Sequence, residues 1–144
     1  MGRMPRVEFA NAFYHVFCRG NNRQDIFLRN DDRKVFLKYL KEAKNRFHLN
    51  IYAYVLMNNH FHLLFETPLG NLTSVMQSLL NRYVKYFNAV HKRVGHLFQG
   101  RFKAVLCQKD AYLAKLIHYI HYNPVRASLA KQQQDWEWSS FKYY

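Results

Sequence analysis

Between Ile51 and Glu66 the chain reads as two short apolar runs, Ile51 to Met57 and His60 to Glu66, hinged on Asn58-Asn59. Runs of this composition separated by two residues that tolerate positive φ predict a β-hairpin. Side chains alternate across a strand, so Phe61, Leu63 and Phe65 share one face and His60 and His62 the other. One face of the sheet is thus marked for a core, and the other carries two imidazoles side by side.

The remaining elements follow in order. Phe13 to Cys18 is aromatic and β-branched and predicts a strand that runs into the polar turn Arg19-Gly20-Asn21-Asn22-Arg23. Asn30-Asp31-Asp32 offers an N-cap and an acidic first turn for a helix with Val35, Phe36, Tyr39, Leu40, Ala43 and Phe47 at helical spacing. After Pro68-Leu69-Gly70, the positions Leu72, Val75, Met76, Leu79, Leu80, Tyr83, Phe87 and Val90 predict a long amphipathic helix. It ends on His91-Lys92-Arg93 and Gly95. Arg101 to Cys107 suits a fourth strand. Asp110 is placed to cap a last helix, expected to stop at Asn123 because Pro124 continues the pattern only with strain. The order is β-α-β-β-α-β-α. It predicts an α+β fold of the ferredoxin-like, split βαβ kind: an antiparallel four-stranded sheet with helices on one face, plus an additional C-terminal helix carrying Tyr119. At 144 residues the expectation is a single domain over 1–144, with 124–144 a tail in which Trp136 or Trp138 seals the core or stacks on a base.

Charge narrows the partner. Twenty-two Lys and Arg against nine Asp and Glu leave a formal +13, a field that attracts polyanions without saying which. No stretch of about 18 apolar residues is present, and no apolar segment follows the basic N-terminus, so the expectation is a cytoplasmic protein with no membrane partner. Cys18 and Cys107 lie far apart and form no CxxC, which excludes a disulfide framework and predicts two free thiols.

Two histidines two apart on a strand can share a divalent ion if a third ligand arrives from elsewhere, or can simply be polar residues on a wet face. On the last helix, at about 100° per residue, Leu113, Leu116, Ile117 and Ile120 form the apolar stripe. Tyr119 and Asn123 lie one turn apart on its flank, extended by Tyr112 and Lys115, while Tyr122 falls nearly opposite the stripe. Packed beside the sheet, this helix would turn Tyr119 and Asn123 toward the edge where His60 and His62 emerge. The Asn123 carbonyl would then complete an open N,N,O site able to polarise a phosphate oxygen. A tyrosine needs activation to act as a nucleophile, and Tyr119 is equally compatible with an ordinary tyrosine bonded at a core margin. Arg19, Arg23, Arg101 and Lys103 sit beside predicted strand ends, as phosphate contacts or as solvated charges. His15, a lone histidine among aromatics, reads as structural.

Several phrases together resemble a known family: Tyr14-His15-Val16, Arg19-Gly20-Asn21-Asn22-Arg23, Met57-Asn58-Asn59-His60-Phe61-His62-Leu63, Gly100-Arg101-Phe102-Lys103, Tyr119-Ile120-His121-Tyr122-Asn123-Pro124-Val125-Arg126-Ala127 and Trp138-Ser139-Ser140. In this order, from about Tyr14 to Ser140, the chain resembles the single-tyrosine HUH transposases, most of all the REP-associated tyrosine transposase branch. The resemblance implies that His60, His62 and Asn123 hold Mg²⁺ or Mn²⁺. It implies that Tyr119 attacks a phosphodiester of single-stranded, hairpin-forming DNA, and that a 5′-phosphotyrosine link forms that can later be rejoined. It also implies a monomer or a homodimer. Ser128 stands where members often have Gly, which predicts a local effect on that turn. Beside this reading stand two others: a non-catalytic ferredoxin-like nucleic-acid-binding module, and a hydrolytic metallonuclease in which Tyr119 only positions substrate.

Overall fold

The computed structural model describes residues 6–109 and 112–144; the proposed cap Asp110 lies outside them. Four strands form one antiparallel sheet in the order β2-β3-β1-β4. They are β1 (Ala12–Arg19), β2 (Asn50–Leu56), β3 (His60–Thr67) and β4 (Lys103–Cys107), with α1 (Asn30–Phe47) and α2 (Leu72–Val90) between them and α3 (Leu113–Arg126) after them. This is the α+β, ferredoxin-like arrangement expected from the order of elements.

Strand alternation sorts the sheet into two faces. Tyr14, Val16 and Cys18 of β1 and Phe61, Leu63 and Phe65 of β3 pack against Phe36 and Leu40 of α1 and Met76, Leu79, Tyr83 and Phe87 of α2. Burying each large apolar side chain there contributes roughly 1.5–3 kcal/mol. A smaller cluster on the opposite face joins Phe13, Ala53, Val55, Met57 and Leu64 to Ile120 of α3, flanked by Leu113, Leu116 and Ile117. The apolar stripe of α3 therefore does face the sheet, but the helix lies across the sheet's second face rather than beside an edge. A register shift between Ile51 and Ala53 changes the phase of β2, so Ile51 serves the larger core while Ala53 and Val55 serve the smaller.

Four local expectations are corrected. α3 does not stop at Asn123; it runs through Pro124 to Arg126. The proline leaves only the Ile120 carbonyl without its helical donor, and the end is closed by Ala127 N–H to Asn123 O and Leu129 N–H to Pro124 O. The N-cap of α1 is Arg29, and Asp32 reaches back to accept the Leu28 and Arg29 amides at 2.9 and 3.1 Å. Neither Asn58 nor Asn59 takes a positive φ. Their turn is held from outside instead: Asn58 O accepts from Ile26 and Phe27 N–H, and Asn59 O from Gly20 N–H. At the end of α2 it is Lys92, not a glycine, that takes the first left-handed conformation, with φ +52°.

Both tryptophans fold back onto the sheet. Trp136 Nε1–H donates to Leu56 O at 3.0 Å and its ring joins the smaller core, while Trp138 packs on the larger. The tail also pairs with β2: Leu56 N–H donates to Trp138 O, and Val55 bridges Ser139. His121, buried on the other flank of α3, meets Ser140 Oγ at 2.7 Å and so ties the tail to that helix. Both cysteines are free.

Candidate active site

Alternation along β3 turns His60 and His62 to the α3 face, between Arg19 and Phe17, their partners on β1. His62 is buried and His60 half-buried. His60 Nδ1 stands 2.8 Å from Asn59 Oδ1, an acceptor, so Nδ1 carries the proton and Nε2 keeps its lone pair. His62 Nε2 faces the Asn123 Nδ2 amide at 3.3 Å, and its Nδ1 meets His15 Nε2 at 2.8 Å. This network makes His62 the same tautomer as His60, with Nδ1–H donating to His15. Burial, reinforced by the neighbouring His15, His60 and Arg126, pushes His62 down to about 3. Burial brings His15 to about 4. His60 is lowered by burial and by the Arg19 charge, against the opposing effect of a hydrogen bond to Asn123. All three imidazoles are therefore neutral at pH 7.

The last helix supplies the other half. Asn123, buried, and Tyr119, exposed at 36%, sit one turn apart. The Tyr119 ring meets His62 and His15 edge-on, at centroid distances of 6.0 and 6.1 Å. Because α3 continues past Pro124, Arg126 comes two turns after Tyr119. Its guanidinium lies 4.7 Å from the Tyr119 ring centre, with Nη2 at 3.5 Å from the hydroxyl. Tyr122 points away and stacks on His118.

The four cations singled out in the sequence meet at one place. Arg19, Arg23, Arg101 and Lys103 line a cleft of about 690 Å³ together with His60, His62, Asn59 and Gln99, and among the described residues no carboxylate lines it. Tyr119 and Asn123 do not line this cleft; they flank His62 from the helix side. The cleft is built by three loops tied to one another. Gly20 N–H donates to Asn59 O, Asn21 N–H to Leu97 O, Gln99 N–H to Arg19 O and Asn59 Nδ2 to Arg23 O. A Cβ at position 20 would run into the Gln24 carbonyl, so this crossing requires glycine.

Among the described residues, no group of three or more His, Cys, Asp and Glu side chains could hold a metal ion. The donor set is two imidazoles and one carboxamide. It fits a divalent ion: both imidazoles are neutral and carry their lone pair on Nε2, and turning the Asn123 amide over about its last torsion releases His62 Nε2 from Nδ2 and presents Oδ1 in its place. The residue that sequence reasoning undervalued is His15. Its signal was present, since an odd position on a strand beginning at Phe13 faces the same side as Phe17, but the pairing of β1 with β3 was needed to see it.

The family described as "Transposase IS200 like" matches residues 8–123. A protein of Haemophilus influenzae assigned as a REP-associated tyrosine transposase is 26% identical over 117 residues, covering 74% of this chain and 66% of its own length. The chain thus spans just under two thirds of that relative. Among solved structures, a REP-associated tyrosine transposase bound to a REP hairpin superposes with a TM-score of 0.82 at 20% identity, over 99% of this chain and 84% of that one. A protein of Deinococcus radiodurans assigned as a transposase gives 0.55 at 15% identity, over 83% and 95%.

Proposed function

The chain belongs to the IS200-like transposases, and from that premise we propose that it cleaves and rejoins single-stranded DNA beside a hairpin through a covalent link to Tyr119. The observation that carries the reading is the convergence of Tyr119 and Asn123 on His62, next to a basic cleft that no carboxylate among the described residues lines. The relative solved with a REP hairpin supports a hairpin as partner.

In this mechanism Arg19, Arg23, Arg101 and Lys103 hold the phosphate backbone in the cleft, fixing its register. His60, His62 and Asn123 would hold Mg²⁺ or Mn²⁺, which when bound supplies polarisation of a non-bridging phosphate oxygen. The Tyr119 hydroxyl loses its proton and its oxygen bonds to phosphorus; the P–O3′ bond breaks and a proton returns to the 3′-oxygen. One fragment leaves with a 3′-hydroxyl and the other stays on Tyr119 by its 5′-phosphate. The number of phosphoester bonds is unchanged, so the reverse attack by another 3′-hydroxyl rejoins a strand without an external energy source. Arg126 places a positive charge beside the oxygen that gives up the proton. His15 holds the tautomer of His62.

The test is a denaturing gel with labelled hairpin DNA taken from beside the gene, comparing wild type with Tyr119→Phe, each with Mn²⁺ or with chelator. The expected result is a metal-dependent protein–DNA band that Tyr119→Phe abolishes while hairpin binding persists. Metal-dependent product without the band would make this a hydrolytic nuclease, and binding without product a binding module. Loss of the band in Tyr122→Phe but not Tyr119→Phe would place the nucleophile on the wrong face.

A further inference from the structure

The helix that carries Tyr119 also has an outward surface, of which only Tyr119 and Arg126 serve the reaction above. At about 100° per residue, Tyr112, Lys115, His118, Tyr119, Tyr122 and Arg126 fall within about 120° of one another, opposite the stripe that packs on the sheet, and all are exposed. His118 and Tyr122 lie stacked, with ring centres 5.4 Å apart and planes 15° from parallel. A solvated helix face ordinarily mixes charges of both signs. Here the stretch from Tyr112 to Gln134 contains no Asp or Glu, and the cations Lys115 and Arg126 sit against tyrosines. The face is also continuous with the site, because Tyr119 belongs to both.

We propose that this outward face of α3 is a base-stacking platform for single-stranded DNA. One base stacks on the His118–Tyr122 pair while Lys115 and Arg126 stand near the phosphates on either side. The strand it holds is the flank whose 5′-phosphate Tyr119 would carry. That direction rests on the proposed reaction; the platform itself rests on charge complementarity and on the exposed ring stack. Stacking on an aromatic face is tolerant of base identity, so the platform adds affinity and orientation for the flank, whereas choice of sequence belongs elsewhere.

The experiment is fluorescence anisotropy with four labelled DNAs: the hairpin alone, the hairpin with a single-stranded flank of about eight nucleotides on its 5′ side or on its 3′ side, and oligo(dT) of similar length. The double variant His118→Ala/Tyr122→Ala is expected to lose about tenfold in affinity for oligo(dT) and for one flanked hairpin, with the bare hairpin unchanged, an effect at the lower end of base–aromatic stacking. Tyr122→Phe, which keeps the ring, should bind as wild type does. Equal loss on the bare hairpin, no loss on any DNA, or the same loss in Tyr122→Phe as in the alanine variant would overturn the platform. If no hairpin binds even to wild type, the proposed function fails. The oligo(dT) arm then decides the platform alone: a tenfold loss upholds it and no change refutes it.

Discussion

Replacing His15 by Phe isolates one hydrogen bond beneath the candidate site. His15 Nε2 accepts from His62 Nδ1 at 2.8 Å, and both rings are buried, at 9% and 7% exposure. Phenylalanine fills a similar space and already has aromatic company in Phe17 and Tyr119, so little packing is lost. The acceptor is lost entirely. Leaving the His62 Nδ1–H buried and unpaired costs about 1–3 kcal/mol, which in a domain of this size lowers Tm by roughly 3–10 °C. His62 can escape that cost by moving its proton to Nε2, but then the lone pair no longer faces Asn123. Either way Mn²⁺ affinity and the rate of covalent adduct formation should fall, by about 10- to 100-fold as for other partners of metal-bound histidines. Hairpin affinity, set mainly by charge, should stay within about twofold. Titration of Mn²⁺ against adduct yield, with urea unfolding as the stability control, measures both. If His15→Phe binds Mn²⁺ and forms adduct like wild type, the tautomer argument is wrong. A loss that disappears at saturating Mn²⁺ would assign the effect to affinity alone.

Three further outcomes are expected. Ser128 has φ +60°, a region that costs a non-glycine residue about 1–2 kcal/mol; after the greater chain entropy of glycine is subtracted, Ser128→Gly should stabilise by about 0.5–1 kcal/mol and raise Tm by about 1–3 °C. Burial, with the neighbouring His118 charge, pushes His121 down to about 4. The unfolded chain takes up its proton below about pH 6.5 and the native state does not, so stability is full above pH 6.5 and is lost as pH falls toward 4. By pH 5 this histidine alone should cost on the order of 1–2 kcal/mol, and urea midpoints for His121→Gln should fall less steeply than for wild type over that range. Finally, changing Arg101 and Lys103 together to Gln should weaken hairpin binding and make its log–log salt dependence shallower by about 2; an unchanged slope would show that these cations do not meet phosphate.

What was legible in the sequence was periodic. The alternation of Phe61, Leu63 and Phe65 against His60 and His62 specified the two faces of β3, and the stripe through Leu113, Leu116, Ile117 and Ile120 specified the face of α3 that meets the sheet. Gathering Arg19, Arg23, Arg101 and Lys103 at one cleft also followed, because all four adjoin strand ends on the same side of the sheet. What escaped was set by tertiary contacts. Asp32 looks like an acidic residue of a helix's first turn, yet it is fully buried. Burial alone would raise its pKa, but hydrogen bonds from Tyr86, Leu28, His91 and Arg29 outweigh that and hold it below its ordinary value. No local pattern announces that clamp between α1 and α2. The helix through Pro124 escaped for a related reason: the missing donor matters only to one carbonyl near the helix end, and the cost is small enough for buried Pro124 and its neighbours to offset.

The two faces of the sheet are unequally filled. Phe36, Phe61, Phe65, Tyr83 and Phe87 are almost wholly enclosed beneath α1 and α2, whereas α3 contributes only Ile120 at that depth. Free energy of opening follows local burial, so of the three helices α3 is the one whose amides should exchange with solvent first, while the larger core stays closed. The residues proposed to bear the nucleophile and a ligand thus ride on the helix that global stability depends on least. Substitutions on α3 and substitutions in the large core should then combine nearly additively, leaving this chain free to vary its chemistry on one face while the other keeps the fold.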